Sequence, residues 1–399
     1  MGRRRATTNA STNPGSGRAE APSLRADLNG QRPVGLREVM GVSTLPPAAV
    51  TGATQRLRAG LARLRRAPAP PPVRILEGLF GTLDLAALVA LCRVGVPDQL
   101  TEPTDLDALA VGLAVDRDRL HRLLRYATVR GWVREDRHGR FRPTPVLEFL
   151  RIDHPGGWRA WVEFMGGEEV LTTLGRIDDG MAADGDPFAA ATGAPFFDWL
   201  RSNPDRHATF DAAMEAGGRM HGLVLARRLD WRAARRVCDV GGGRGALLAT
   251  LLTAHPQLEG VLLELPEVAA HAPDVDRMSV VAGDAFEAVP AGCDTYLLVN
   301  VLHDWSDHDA HRLLTSVRAS LSHDDPGPPP RVIVVEGRTT RRPQDDLSIL
   351  TDLLMFTLTA GGRERTRAEF AELAAAAGLR LDRTIHLPST ADAHVLIPR

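Results

Sequence analysis

From residue 235 to the end of the chain, short apolar runs of strand length alternate with segments of helical periodicity. The predicted strands are Arg236–Val240, Val261–Leu265, Val280–Asp284, Tyr296–Asn300, Val332–Val335, Leu379–Ile385 and His394–Ile397. Predicted helices such as Asp307–Leu321 and Thr366–Ala377 lie between them. This alternation is typical of a parallel sheet covered by helices on both faces. The last strand follows its neighbour closely enough to be antiparallel. Residues 226–399 are therefore predicted to form an α/β domain with a mostly parallel, seven-stranded sheet.

Residues 73–150 have the pattern of a small helical domain that ends in a hairpin. Thr104 and Asp107 have capping-box spacing before one helix, and Asp116 can cap the next. The apolar stripe on that second helix consists of Leu120, Leu123, Leu124 and Ala127. Two helices followed by a hairpin indicate a winged-helix domain.

Residues 151–225 contain eight of the nineteen aromatic residues of the chain, in segments of helical character broken at Gly and Pro. They are Trp158, Trp161, Phe164, Phe188, Phe196, Phe197, Trp199 and Phe210. Some of them belong to a core, but an excess this large also suits a wall for a flat ligand. We therefore predict linking helices that carry part of a substrate site.

Residues 1–68 form a basic leader with twelve Arg and three acidic residues, against a formal net charge of -2 for the whole chain. The leader is poor in large apolar residues, so we predict that it is disordered. One piece, Arg56–Arg66, has Leu57, Leu61 and Leu64 on one helical face. Such a helix can lie on a membrane surface, although a solvated or domain-packed helix is the favoured interpretation.

The composition limits the chemistry and the compartment. All 48 basic residues are Arg, which excludes a Schiff-base lysine and a P-loop lysine. The three cysteines have no CxxC spacing, which fits a reducing cytoplasm and disfavours a disulfide framework. No apolar stretch is expected to approach the ~20 residues of a spanning helix, and no secretory signal is recognisable. We therefore predict a cytoplasmic protein without membrane contact.

The strongest local motif is the run DVGGGRG at 239–245, between a predicted strand and a predicted helix. Its glycines allow a tight turn and a close approach to a cofactor. Gly241, Gly243 and Ala246 also match a dinucleotide pattern. However, Asp239 stands at the mouth of the site, where it would repel a pyrophosphate but not a sulfonium cofactor. Glu264 ends the next strand, where it can accept both ribose hydroxyls.

The third predicted strand ends in GDAF at 283–286. Asp284 is placed to accept from an adenine amino group, while Phe286 lines the purine. This second acid also suits a compact nucleoside better than a dinucleotide.

A second motif, NVLHDWSD at 300–307, follows the fourth predicted strand. His303 therefore lies at the carboxyl edge of the sheet, where ligands bind in such folds. Glu336 ends the fifth strand, and Glu364 lies in the run GGRERT at 361–366. Carboxylates beside an imidazole fix its tautomer and stabilise its protonated form, as a general base requires. His303, His308 and His311 with neighbouring aspartates also permit a metal cluster, but Asp-rich helix starts are ordinary caps. We predict no metal.

From about residue 73 to the end, the sequence resembles the plant caffeate and isoflavonoid O-methyltransferases and their bacterial small-molecule relatives. The resemblance rests on the two motifs above, on the acid-Leu-Pro run at 264–266, and on the runs GDAF, VVEG (334–337) and GGRERT. It implies a Rossmann-like class I methyltransferase domain that binds S-adenosylmethionine. It also implies that residues 73–150 form a winged-helix dimerisation domain, and hence a homodimer.

The motifs, the aromatic excess and the resemblance together give three sets of candidate site residues. The implied cofactor-binding residues are Asp239, Gly241, Gly243, Gly245, Glu264, Asp284, Ala285, Phe286 and Asn300. The implied catalytic residues are His303, Asp304, Glu336 and Glu364. Met214, Met355 and Thr359 match or lie near substrate-facing positions of the family. The other candidate substrate-binding residues are predicted because apolar side chains suit a flat acceptor, and they are Trp161, Phe164, Met165 and Phe356.

The chain departs from the family pattern around the cofactor. Glu264 stands in place of Asp, and Ala285 stands where a Met is common. Val299 and Gly218 replace a Lys and a Ser that many members carry. Asn300 or Arg244 is a candidate to compensate for them.

The expected function is methyl transfer to a hydroxyl group of a small, aromatic secondary metabolite. An alternative is a hydroxylase or decarboxylase of the same fold that is assisted by bound S-adenosylmethionine. A third interpretation, a winged-helix DNA-binding regulator, is disfavoured because residues 73–150 carry eleven Arg and eleven acidic residues. A net charge of zero is a poor basis for phosphate contacts.

Overall fold

The computed structural model describes residues 35–41, 44–46, 48–66, 68–182, 185–321, 329–339 and 347–399. Two helices lie in the segment predicted to be disordered, α1 (Leu36–Met40) and α2 (Ala48–Arg66). Leu36 and Val39 of α1 are buried against Leu223. The prediction of disorder is therefore wrong for this part of the leader. Two apolar residues suffice to pack this short helix against a segment far away in the sequence. The composition of the leader alone does not reveal such a contact. Residues 1–34 lie outside the described residues.

The next region contains six helices and a hairpin. They are α3 (Pro71–Phe80), α4 (Thr82–Val94), α5 (Val96–Gln99), α6 (Leu106–Leu113), α7 (Arg117–Val129), β1 (Val133–Glu135), β2 (Phe141–Pro143) and α8 (Pro145–Glu148). The predicted order of two helices and an antiparallel hairpin is present in α6, α7, β1 and β2. Asp116 caps α7 as predicted, by accepting from the backbone N–H of Arg119. The capping box at Thr104 is absent, because Asp105 occupies the N-cap of α6 and the Thr104 hydroxyl donates to the Glu102 carbonyl.

The helices α3 and α4 together form a long apolar element, Pro71–Val94, of 24 residues and mean hydropathy 1.9. By length and composition it could cross a membrane, so the expectation that no such stretch exists is wrong. Its few charged residues are spread thinly enough to leave an apolar window. Only 22% of that window is buried in the structure. Asp84 in α4 accepts a hydrogen bond from the Tyr126 hydroxyl and pairs with Arg130. The element therefore combines attachment to its own domain with a large exposed apolar surface.

The linking region is helical, as predicted. It contains α9 (Trp158–Met165), α10 (Glu168–Leu174), a 3₁₀ turn (Ile177–Met181), α11 (Pro187–Thr192), α12 (Phe196–Ser202) and α13 (Pro204–Arg228). The predicted domain boundary between residues 225 and 226 falls inside α13. That helix packs against both α9 and the first helix of the sheet domain, α14 (Ala246–Ala254). It therefore belongs to both regions at once.

The sheet domain contains seven strands and four further helices. They are β3 (Arg236–Val240), β4 (Glu259–Glu264), α15 (Pro266–Ala269), β5 (Met278–Ala282), β6 (Thr295–Val299), α16 (Asp307–Ser320), β7 (Arg331–Gly337), α17 (Leu347–Leu358), α18 (Arg367–Ala376), β8 (Leu379–His386) and β9 (Ala391–Pro398). The strand order is β5-β4-β3-β6-β7-β9-β8. Only β9 runs antiparallel to its neighbours. The prediction of a mostly parallel, seven-stranded sheet is confirmed.

The chain reverses its direction across the sheet between β3 and β6, because β4 and β5 lie on one side of β3, and β6 and β7 lie on the other. In open parallel sheets, this switch point leaves a crevice at the carboxyl ends of the strands, where ligands bind. The glycine-rich run follows β3 and the His303 segment follows β6. The topology therefore places both motifs at the switch point.

The sheet core has two faces, as the side-chain alternation of strands requires. Cys238, Val240 and Leu298 face α16 and α18 in one buried cluster. Val237, Leu262 and Leu297 face α13 and α14 in the other. Burial of both faces explains why these strands have continuous apolar sequences.

The predicted strand bounds are within about three residues of those observed. The strand predicted at Val261–Leu265 begins at Glu259, because Arg236 and Glu259 already pair across the ladder. The strand predicted at Val280–Asp284 is Met278–Ala282 for the same reason, since Gly260 pairs with Met278. The ladder continues through Glu259, Gly260 and Ser279, whose side chains carry no apolar signal.

Candidate active site

The glycine-rich run forms the turn between β3 and α14. Gly241, Gly243 and Gly245 have φ values of 67°, 57° and 78°, which side chains rarely adopt. A Cβ on Gly242 would lie 2.5 Å from Oδ2 of Asp239 and 2.6 Å from Leu262. At each of these four positions, steric constraints therefore favour glycine over a residue with a side chain.

Two acidic side chains line this turn. Asp239 is 1% exposed, and its Oδ2 has no hydrogen-bond partner among the described residues. Burial, and then the charge of Glu264, raise the pKa of Asp239 to about 7. Glu264 accepts from the backbone N–H groups of Gly243 and Leu265, both at 2.8 Å. A buried carboxylate without a partner fits a cationic ligand and would repel a pyrophosphate.

The other predicted cofactor residues lie at the ends of β5 and β6. Asp284 is exposed and accepts from the backbone N–H of Phe286, while Ala285 and Phe286 are half-buried. Asn300 has a φ of 53°, and its Nδ2 lies 3.3 Å from Nε2 of His221. Burial, and then His303, lower the pKa of His221 to about 4. His221 was not predicted as a site residue, because it lies on α13 and only the packing of that helix brings it to the site.

His303 lies between three carboxylates. Its Nδ1 is 3.1 Å from Oε1 of Glu364 and 3.4 Å from Oε2 of Glu336, and its Nε2 is 3.7 Å from Oδ1 of Asp304. Glu336 is fully buried and also accepts from the backbone N–H of Leu302 at 2.8 Å. The four predicted catalytic residues therefore form one cluster.

The carboxylates control the protonation of the imidazole. Burial by itself would lower the pKa of His303, but Glu336, Asp304 and Glu364 outweigh it and raise this pKa to about 10. Burial raises the pKa of Glu336 to about 7, although the charge of His303 opposes it. The ligand atoms of His303, Glu336 and Glu364 lie within 4.8 Å of one another, a geometry that could also hold a metal ion. The absence of a metal stays a prediction.

Glu364 has its own supports, which the sequence did not indicate. The Thr351 hydroxyl donates to its Oε1 at 2.9 Å, and its backbone N–H donates to Oδ1 of Asp352 at 2.8 Å. Both partners are on α17. Thr351 and Asp352 were not predicted as site residues, because the sequence of this helix is otherwise mostly apolar.

Seven of the eight aromatic residues of the linking helices, all except Trp158, form one cluster that Leu354 and Leu358 of α17 complete. Among the predicted substrate residues, Phe164 is buried in it, and Trp161, Met165 and Met214 pack around it. Trp305, which was not predicted, joins this cluster to the cofactor side. Its ring stacks on Phe197 at 5.6 Å and meets Phe286 edge-on at 4.8 Å. The aromatic cluster and the predicted cofactor-binding residues thus meet at the segment that carries His303.

The three predicted substrate residues after 350 have different surroundings. Phe356 faces the 3₁₀ turn, since a Cβ on Gly180 would lie 2.8 Å from its Cζ. Thr359 is buried and donates its hydroxyl proton to the Met355 carbonyl at 2.8 Å. Met355 is buried as well. Their contact with substrate stays a prediction.

Comparisons with known proteins identify the family of this chain. A family model described as an O-methyltransferase domain matches residues 175–380, just over half of the chain. The 2,7-dihydroxy-5-methyl-1-naphthoate 7-O-methyltransferase of Streptomyces carzinostaticus is 35% identical over 320 residues, which are 76% of this chain and 92% of that protein. The chain belongs to this O-methyltransferase family. The resemblance found in the sequence is therefore confirmed.

Two further relatives define the range of the family. The solved structure of CalO1, a methyltransferase in calicheamicin biosynthesis in its SAH-bound form, matches with a TM-score of 0.74 and 34% identity, over 84% of this chain and 99% of that one. Aclacinomycin 10-hydroxylase RdmB of Streptomyces purpurascens is 34% identical over 322 residues, 77% of this chain and 84% of that protein.

This O-methyltransferase uses S-adenosylmethionine as its cofactor. The residues at the switch point fit that group, because the glycine turn allows close approach and Asp239 offers a buried carboxylate without a partner. Arg244 is already paired with Asp211 at 3.3 Å. Its charge is thus partly neutralised, which weakens it as a substitute for the missing Lys.

Proposed function

We propose that this O-methyltransferase methylates a phenolic hydroxyl of a small aromatic metabolite and uses His303 as its general base. The observation that carries the proposal is the contact of Nδ1 of His303 with Glu364 and Glu336 at 3.1 and 3.4 Å. These contacts fix the tautomer with the proton on Nδ1. Nε2 is then the nitrogen that takes a proton from substrate.

When bound, S-adenosylmethionine would supply a methyl group from its sulfonium and would leave as S-adenosylhomocysteine, because the sulfur–carbon bond breaks as the hydroxyl oxygen forms its new bond to the methyl carbon. As that bond forms, the O–H bond breaks and its proton passes to Nε2 of His303. Glu336 and Glu364 stabilise the resulting imidazolium. General-base assistance is worth ~10²–10⁴ in rate, and alignment of the reactants contributes up to about 7–11 kcal/mol.

The raised pKa of His303 suits a phenol. An ordinary imidazole has a pKa near ~6.5 and a phenol near ~10, so proton transfer between them is uphill. The carboxylates raise the pKa of His303 to about 10, which brings donor and acceptor close together. The cost is that the free base is scarce at neutral pH, so we expect activity to rise on the alkaline side.

The aromatic character of the substrate is supported by the cluster around Phe164 and by the relatives. Trp161, Met165 and Met214 pack at its edge, near the stacked rings of Phe197 and Trp305. The relative from Streptomyces carzinostaticus acts on a naphthoate. A fused bicyclic phenol is therefore the first acceptor to test.

A second candidate is hydroxylation assisted by the bound cofactor. RdmB is named a hydroxylase and is nearly as similar to this chain as the naphthoate O-methyltransferase. Overall identity therefore does not separate the two reactions. The cluster of His303 with two glutamates favours methyl transfer, because it provides for the proton that methylation of a hydroxyl releases.

The test is incubation of the enzyme with methyl-labelled S-adenosylmethionine and a panel of hydroxylated naphthoates, phenazines and quinones, followed by mass spectrometry. We expect a mass gain of one methyl group on a hydroxyl oxygen. A product that gains oxygen or loses carbon dioxide without label would establish the alternative reaction instead.

The pH dependence of Glu364→Gln should report on the charge of the cluster. Wild-type kcat/KM should rise between about pH 7 and the pKa of His303 near 10, since the base must be unprotonated. Removing the Glu364 carboxylate lowers the pKa of His303. The acid limb of the kcat/KM profile should therefore shift to lower pH by about 1–2 units. The maximum rate should fall, because the imidazolium is less stabilised.

Pre-steady-state or kcat/KM titrations of both proteins across pH 6–10 measure this shift. Glu372→Gln, which removes an exposed carboxylate of α18, is the matched control and should leave the limb in place. An unmoved limb in Glu364→Gln would mean that another group controls the pH dependence.

We also propose a cytoplasmic homodimer that forms through α3 and the start of α4. No residue of α3 is buried, and the exposed apolar residues along this element are Val73, Ile75, Leu76, Leu79, Phe80 and Leu83. A contiguous apolar surface of this kind marks an interface, and symmetric dimers are the commonest assembly. The free, buried cysteines Cys92, Cys238 and Cys293 fit a reducing compartment.

Light scattering should give twice the monomer mass at micromolar concentration. Leu79→Glu combined with Phe80→Glu should give a monomer, because two charges would be buried without partners. Val111→Glu on α6, at an 81% exposed residue, is the control and should remain dimeric. A monomeric wild-type protein would refute the proposal.

A further inference from the structure

Arg365 is a buried guanidinium beside the catalytic cluster, and the mechanism above does not use it. Its side chain is 1% exposed. Nη1 donates to the Leu302 carbonyl at 2.7 Å, Nη2 donates to the Trp305 carbonyl at 2.7 Å, and Nε donates to Oδ1 of Asp307 at 2.8 Å. All three acceptors lie on one short segment, between β6 and the first turn of α16.

These acceptors bracket the proposed base. The Leu302 carbonyl directly precedes His303, and the Trp305 carbonyl follows it by two residues. Between them, the carbonyl of His303 itself accepts from the backbone N–H of Arg363 at 2.8 Å. A Cβ on Gly362 would lie 2.6 Å from the same carbonyl oxygen, so the two segments are in close contact. The backbone N–H of Arg363 and the side chain of Arg365 therefore hold the backbone on both sides of the His303 imidazole.

Residues 362–365 also include Glu364, the carboxylate closest to Nδ1 of His303. Residues 362–365 thus contain one member of the hydrogen-bonded pair, Glu364. They also hold the backbone around the other member, His303. A displacement of either segment would change the Nδ1 to Oε1 distance directly.

We propose that Arg365 is a positioning residue that fixes His303 against Glu364 and towards the acceptor hydroxyl. This inference rests on the proposed role of His303 as the base. Arg365 acts through the backbone of the 302–305 segment and touches neither substrate nor cofactor.

The shape of the guanidinium, more than its charge, accounts for this role. Among the described residues, the only carboxylate bonded to Arg365 belongs to Asp307, whose side chain is 62% exposed and therefore screened by water. The two backbone carbonyls instead require donors that point in fixed, diverging directions. The planar fork of arginine supplies them, whereas the donors of lysine all sit on one nitrogen at the end of a flexible stem.

Arg365→Lys, which keeps the charge, should lower kcat by about 10- to 100-fold, since a misplacement near 1 Å can cost about 10²-fold. The KM for the acceptor and the calorimetric affinity for S-adenosylhomocysteine should change by less than about threefold. Asp307→Asn, which removes the charge partner but leaves both carbonyl contacts, should lower kcat by less than about threefold. Arg367→Gln, at an exposed side chain at the start of α18 that donates to the Thr384 hydroxyl, is the matched control and should behave like wild type.

A double-variant cycle with His303→Ala separates positioning from a general effect on the fold. If Arg365 acts through His303, Arg365→Lys should cost less than about threefold in the His303→Ala background. The same 10- to 100-fold loss in both backgrounds would overturn the positioning role while leaving the base assignment intact. Full activity of Arg365→Lys would also overturn it. Near wild-type activity of His303→Ala alone would instead overturn the base assignment and, with it, this inference.

Discussion

Replacing His303 with alanine is expected to lower kcat by ~10²–10⁴ and to leave the fold and the cofactor affinity intact. The imidazole is held by Glu364 and Glu336 through Nδ1, so its loss removes the group that accepts the hydroxyl proton. That proton moves only in the transition state. The loss should therefore appear in kcat and leave KM nearly unchanged.

High pH should partly rescue the variant, because a phenol that ionises in solution needs no base. Steady-state kinetics at pH 7 and pH 10, with a thermal melt to verify folding, test both statements. His308→Ala provides the matched control, since His308 is exposed at the start of α16. A His303→Ala enzyme with nearly normal kcat at neutral pH would show that catalysis depends on alignment of the reactants alone.

The arrangement of the sheet and the place of the two main motifs were predictable, because each depends on local signals in the sequence. Apolar runs separated by helical periods predicted all seven strands, and the last was correctly expected to be antiparallel. The glycines at 241, 243 and 245 were recognisable since the turn after β3 requires positive φ. His303 follows β6 and Glu336 is the last but one residue of β7, so both lie at the carboxyl edge of the sheet.

The contacts that the sequence did not reveal are all between segments far apart in the chain. α1 docks on α13 through Leu36 and Val39, which composition alone assigned to a disordered leader. His221 and Arg365 are ordinary polar residues in sequence, and only packing makes them neighbours of the site. The raised pKa of His303 also requires three carboxylates at known distances, and a motif gives their identity without those distances.

The cofactor prediction with the largest expected effect concerns Glu264. Its carboxylate is held in place by the backbone N–H groups of Gly243 and Leu265, each at 2.8 Å. Each carboxylate oxygen has two acceptor positions, so one on each oxygen is left for a ligand. The family resemblance assigns these positions to the ribose hydroxyls, with Glu replacing the more common Asp. The backbone contacts hold the longer side chain close to the turn.

Glu264→Ala should therefore weaken binding of S-adenosylmethionine and S-adenosylhomocysteine by roughly 1.5–3 kcal/mol, the scale of hydrogen bonds to a charged group. Isothermal titration calorimetry measures the change, and Glu267→Ala, at an exposed neighbour in α15, is the control that should bind normally. A 2′-deoxy analogue of S-adenosylhomocysteine makes the test specific. If Glu264 accepts from the ribose, the analogue should lose affinity for the wild-type protein but should bind Glu264→Ala about as well as the parent compound does. An equal loss for both proteins would mean that Glu264 shapes the glycine turn without contacting the ribose.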